Sequence, residues 1–139
     1  MKKKAGFTLS ELLIVVAIIG VLVAISIPIF TQQLHKAEVA TDWANVRSYY
    51  AQLQYDFMET GKVNDTYLHE ISMEPTGLTS FNLSGQTVNL KAGSLWIAPE
   101  DPEGKRGYNL LYICKEGNLA HPECTLLLPE DSPSKSGTK

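Results

Sequence analysis

At 139 residues, with 44% apolar side chains and a formal charge of −3, the chain has room for one modest domain and an additional element, not for two full domains. The basic residues after position 30 are scattered, among them Lys36, Arg47, Lys62, Lys91, Lys105, Arg106 and Lys115, which excludes broad nucleic-acid binding, since phosphate recognition needs clustered cations. Much of the apolar content lies between residues 12 and 30, so the average composition conceals a two-part molecule.

The chain opens with Lys2, Lys3 and Lys4, followed by Gly6-Phe7-Thr8-Leu9-Ser10-Glu11. Leu12 to Ile25 then runs without a charged or strongly polar residue, and after Ser26 the apolar run resumes through Ile27, Pro28, Ile29 and Phe30. About 19 such residues at 1.5 Å per residue cross a hydrocarbon core of about 30 Å. The lysines ahead of the run place the N-terminus in the cytoplasm by the positive-inside bias, so the rest is exported. A secretory signal peptide would need small residues at the far end, and Val23-Ala24-Ile25-Ser26 is a poor version of that pattern. A plain uncleaved anchor accounts for the lysines and the length but assigns nothing to the run from Gly6 to Glu11. A third reading starts from that run.

Lys3-Lys4-Ala5-Gly6-Phe7-Thr8-Leu9-Ser10-Glu11-Leu12-Leu13 resembles the class III leader of type IV prepilins and the related pseudopilins. The resemblance implies that a membrane aspartyl peptidase, the prepilin peptidase, cuts between Gly6 and Phe7 on the cytoplasmic side and N-methylates Phe7. Ser10 departs from the pattern, where a larger aliphatic residue is usual. Gly6 suits a scissile position because a bare backbone permits close approach and non-helical geometry. Removing the leader leaves nine basic against fifteen acidic residues, so the mature product is acidic. By the same resemblance, Glu11 pairs with the N-terminal amine of a neighbouring subunit during assembly. A carboxylate inside a filament is tolerable only when paired and hydrogen-bonded. Gly20 and Pro28 also lie at family positions. An interior proline costs a helix about 3 kcal/mol and a glycine about 1 kcal/mol, so the stretch between them is expected to bend or loosen; in assembled pili it is often non-helical, and the alternative is a simple proline kink in an otherwise continuous helix.

Thr31 to Glu59 lacks Gly and Pro, and Val39, Trp43, Val46, Tyr50, Leu53 and Phe57 form one helical stripe. Lys36, Asp42, Gln52, Asp56 and Glu59 are placed on the opposite, polar side. The stripe is expected to pack on a sheet rather than on a coiled-coil partner, and Thr60-Gly61 to end the helix. Between Lys62 and Gly93 the chain is turn-rich, with Phe81–Leu83 and Thr87–Leu90 as a small hairpin or short strands. Clearer strands are Leu95–Ala98, Tyr108–Cys114 and Cys124–Leu128, separated by turns at Asp-Pro-Glu-Gly (residues 101–104) and Lys115-Glu116-Gly117-Asn118. Cys114 and Cys124 are the only cysteines. In an exported protein they read as a disulfide, with two free thiols as the alternative, and His121 alone does not complete a metal site. Glu100, Asp101 and Glu103 read as a solvated acidic turn, with a calcium loop like that of some major pseudopilins as the alternative. His35, His69 and His121 are dispersed, and no catalytic constellation is recognisable.

The expected architecture is therefore α+β, a pilin fold in which a long N-terminal helix, first hydrophobic and then amphipathic, packs on a small C-terminal antiparallel sheet. The parts are a cleaved leader (1–6), a membrane and filament-core helix (7–30), its amphipathic half (31–60), a globular head (61–128) and a disordered tail (129–139). The implied function is that of a structural type IV pilus subunit serving adhesion, twitching motility or DNA uptake, with no enzymatic activity, cofactor or metal. The alternatives are a pseudopilin of a type II secretion or competence system, or a surface protein with an uncleaved anchor. Expected partners are copies of itself, the prepilin peptidase, the pilus assembly machinery and, before assembly, the inner membrane. No specific nucleic acid is expected, and the assembled product is extracellular.

Overall fold

A computed structural model describes residues 6–69, 76–115 and 124–130. The three leader lysines, Pro75, the turn residues Glu116 to Asn118, His121 and the tail from residue 131 lie outside the described residues. The chain divides into two units, Met1–Lys36 and Ala37–Lys139. One helix, α1 (Leu9–Thr60), supplies residues to both.

In the first unit the apolar side chains from Leu12 to Phe30 are exposed, and an 18-residue stretch of the helix has no buried residue. Leaving one large aliphatic side chain in water instead of burying it forfeits about 1.5 to 3 kcal/mol, and more than a dozen are involved. Such a surface belongs in lipid or against other helices. The helix is continuous through Gly20 and Pro28, as the proline-kink alternative allows. Proline forfeits only its own bond to the carbonyl four residues back, and the donors on either side continue the ladder.

In the second unit α1 buries Val39, Asp42, Val46, Tyr49 and Leu53, with Trp43, Tyr50 and Phe57 partly covered at its flanks. It packs with the sheet residues in one core, as the sequence stripe indicated. Two positions correct that stripe. Tyr49 is buried because its ring stacks on Phe81 at 4.4 Å, a contact supplied by a hairpin remote in sequence. Asp42, expected on the polar side, is 0% exposed because it satisfies donors from two other segments. The helix ends at Gly61, whose φ of 68° places it in the left-handed region while its N–H donates to the Phe57 carbonyl at 2.7 Å.

A short 3-10 turn, Asp65–Tyr67, precedes the hairpin of β1 (Ser80–Leu83) and β2 (Gln86–Asn89). Its two-residue loop has positive φ at both Ser84 and Gly85, and Asn82 Oδ1 accepts the Gly85 N–H. Gln52 on the helix accepts the Ser84 N–H at 3.0 Å, so that residue is not free polar surface. The main sheet is antiparallel in the order β3 (Gly93–Pro99), β4 (Tyr108–Cys114), β5 (Thr125–Leu128). The register lays inward rows across all three strands: Leu95 beside Tyr112 beside Leu126, and Ile97 beside Leu110 beside Leu128. Alternate residues of each strand are thus buried toward the helix. The turn at residues 101–104 closes through the Gly104 N–H to the Asp101 carbonyl at 3.0 Å. Cys114 and Cys124 form a disulfide with a Cα separation of 5.6 Å, joining the end of β4 to the residue before β5.

Candidate functional site

The proposed scissile bond lies in non-helical, exposed backbone two residues ahead of α1, with Phe7 85% exposed. Thr8 then starts the helix. Its N–H donates to Glu11 Oε2 at 2.9 Å, its hydroxyl donates to the same oxygen at 2.7 Å, and the Glu11 N–H reaches back to the Thr8 hydroxyl at 3.3 Å. This is a capping box, which satisfies helix-terminal donors that otherwise have no partner. The Glu11 carboxyl is therefore already held by its own chain. Sequence reasoning assigned Glu11 a role but missed Thr8, although Thr-x-x-Glu before an apolar run is the signature of such a box.

Gly20 and Pro28 lie nine and seventeen residues beyond Glu11 and are not gathered with it. A Cβ built at Gly20 meets nothing within 4 Å, so packing within the single chain does not require glycine there.

The described family "Prokaryotic N-terminal methylation motif" matches residues 1–27. Fimbrial protein EcpB of Eikenella corrodens is 51% identical over 39 residues, 28% of this chain and 24% of that protein. The type IV major pilin of Myxococcus xanthus is 37% identical over 91 residues, 66% of this chain and 40% of that protein. These matches make the chain similar to type IV pilins. A further pilin relative, the type IV narrow pilus major component of Thermus thermophilus, is 55% identical over 49 residues, 33% of this chain and 42% of that protein. The chain thus spans less than half the length of these curated relatives. No solved structure matches it.

Within residues 37–139, Asp42 forms a second concentration of polar chemistry. Oδ1 accepts the Lys91 N–H at 3.0 Å, Oδ2 accepts the Ala92 N–H at 2.8 Å, and the Tyr112 hydroxyl donates to Oδ2 at 2.8 Å. One helical carboxyl therefore ties the segment between β2 and β3 to the middle of β4. Burial, then the hydrogen bond to Asp42, pushes the Tyr112 hydroxyl well above the usual tyrosine range. The arrangement binds secondary structure together.

The acidic turn is engaged with its own chain. Asp101 Oδ1 accepts the N–H groups of Lys105 and Arg106 at 2.8 Å each, Glu103 pairs with Lys105, and Glu100 pairs with Arg106 at 3.3 Å. Such a turn has its carboxylates committed to amides and cations instead of converging on one point. His69 contributes its backbone to a bridge with Ile97.

Proposed function

We propose that this chain is a prepilin: the prepilin peptidase cuts between Gly6 and Phe7, Phe7 is N-methylated, and the mature subunit polymerises through its apolar helix into an extracellular type IV pilus. The observation that carries the reading is the exposed, non-helical backbone at residues 6 and 7 directly before a capped helix whose apolar side chains are uncovered. The match of residues 1–27 to a methylation motif and the pilin relatives support it.

The chain's own groups account for the order of events. Before the cut, the lysines hold the leader on the cytoplasmic side and the apolar stretch anchors the subunit in the inner membrane. Gly6 presents an unhindered backbone to the peptidase. After the cut, the Phe7 nitrogen becomes an amine, and a cation is now available for Glu11. Thr8 supplies the carboxyl with two donors in the membrane-anchored subunit. Transfer into a filament replaces lipid with neighbouring helices, and pairing of Glu11 with a neighbour's amine offsets the loss of solvent. The same helix thereby serves as anchor and then as filament core. The filament's role in adhesion, motility or DNA uptake belongs to the same proposal.

Mass analysis of sheared extracellular filaments tests the reading. The expected product begins with N-methylated Phe7. Extracellular protein retaining Met1 would overturn it.

A further inference from the structure

Residues 37–139 carry opposite exposed charge at two places far apart along α1. At one, the backbones of Lys91 and Lys115 are drawn together: the Lys91 N–H donates to Asp42, the Lys115 N–H donates to the Ala92 carbonyl at 2.7 Å, and Lys115 Nζ lies 3.4 Å from the Lys91 carbonyl. Both lysines are exposed, and neither has an ion pair among the described residues. Asp42 beneath them is buried and engaged by three donors, and half-buried Glu38, one turn earlier, offsets only part of their charge.

At the other, the last turns of α1 present Tyr55 and Met58, which are 62% and 76% exposed, beside exposed Glu59 and half-buried Asp56. The last turn of this helix contains no basic residue. Carbonyl dipoles make a helix C-terminus negative, so acids there are unfavourable in the isolated subunit; exposed Lys62, two residues past the helix, answers part of that charge, and a further cation would relieve the rest. Asp65, exposed just beyond the helix, adds a further acid. Tyr55 and Met58 supply apolar area that nothing among the described residues covers, and a tyrosine face also attracts an ammonium group.

We propose that the outward face of the final α1 turns, Tyr55, Met58 and Glu59, docks a second copy of the chain through that copy's Lys91 and Lys115. The level of Asp42 and that of Glu59 are about 25 Å apart at 1.5 Å per residue, so the two patches cannot satisfy each other within one subunit. Each copy donates one patch and receives the other. A heterologous contact of this kind does not close on itself in a two-fold dimer, and where its rotation does not close a ring, repetition gives an open filament. The charge pairing fixes the register between heads, which an apolar helix alone specifies poorly. This inference rests on the assembly reading above.

The test uses Glu59→Lys, Lys91→Glu with Lys115→Glu, and all three together, in cells whose wild-type chain forms filaments beginning at Phe7. Each reversed patch is expected to lower filament yield about tenfold or more, and the combined variant to recover most of it. Glu59→Lys places a cation at the helix C-terminus, so the full chain in detergent should melt no lower than wild type while assembling poorly, a split that a folding defect would not produce. Wild-type filaments beginning at Phe7 show that the assembly reading holds. Wild-type yield from the two reversed variants, or no recovery in the combined one, would then overturn the pairing alone.

Discussion

Replacing Asp42 should destabilise the head more than any other single polar change in α1. Its two oxygens accept two backbone N–H groups and one hydroxyl, all inside a core where Tyr112 and Leu95 are also fully buried. A buried donor left unsatisfied costs about 1 to 3 kcal/mol, and breaking a buried charged network by removing one member costs about 3 to 5 kcal/mol. A domain of this size is stable by about 5 to 15 kcal/mol, so Asp42→Ala should remove a large fraction of the total. Asp42→Asn separates shape from chemistry. The amide has the same outline but turns one acceptor into a donor facing donors, and about 2 to 4 kcal/mol is expected. Tyr112→Phe removes only one donor and leaves the two amides satisfied, so about 1 kcal/mol should be lost. Urea unfolding of the detergent-solubilised full chain, followed by tryptophan fluorescence, gives all three values. An Asp42→Asn midpoint equal to wild type would refute the argument that all three donors depend on a carboxylate.

Two further outcomes follow from neighbouring geometry. A Cβ at Gly93 would lie 2.5 Å from both the Ile113 carbonyl oxygen and the Tyr112 ring, so Gly93→Ala should cost about 2 to 3 kcal/mol in the same unfolding assay. Gly20→Ala meets no obstacle and should leave the helical circular dichroism signal undiminished. The Tyr112 hydroxyl is held above its ordinary value of 10.0, first by burial and then by its bond to Asp42. A raised value in the folded state means that the protonated form stabilises the head below about pH 10, and that this contribution is lost as pH rises above it. Stability measured against pH should therefore fall on the alkaline side of 10, and Tyr112→Phe should flatten that fall. An unchanged slope would remove Tyr112 as the source.

The amino-acid sequence alone determined the features that depend on local order. The apolar run from Leu12 to Phe30 is long enough to form a spanning helix whatever surrounds it, and Gly61 can terminate the helix because it alone enters the left-handed region without strain. The strands over Tyr108–Cys114 and near Cys124–Leu128 were legible from clustered aromatic and branched residues, and the turn at 101–104 from Asp-Pro-Glu-Gly. The capping box was also local, visible as Thr8 and Glu11 three residues apart. Asp42, Tyr49 and the Lys91 and Lys115 pair were decided by tertiary structure. A carboxyl on a helix reads as solvent-facing until distant segments bring it donors, and Lys91 N–H, Ala92 N–H and the Tyr112 hydroxyl lie 49, 50 and 70 residues away. The ring of Tyr49 has a place in the core only because the β1–β2 hairpin carries Phe81 to it. Helical periodicity records which side chains can share a face, whereas long-range pairing determines how wide the buried part of that face becomes.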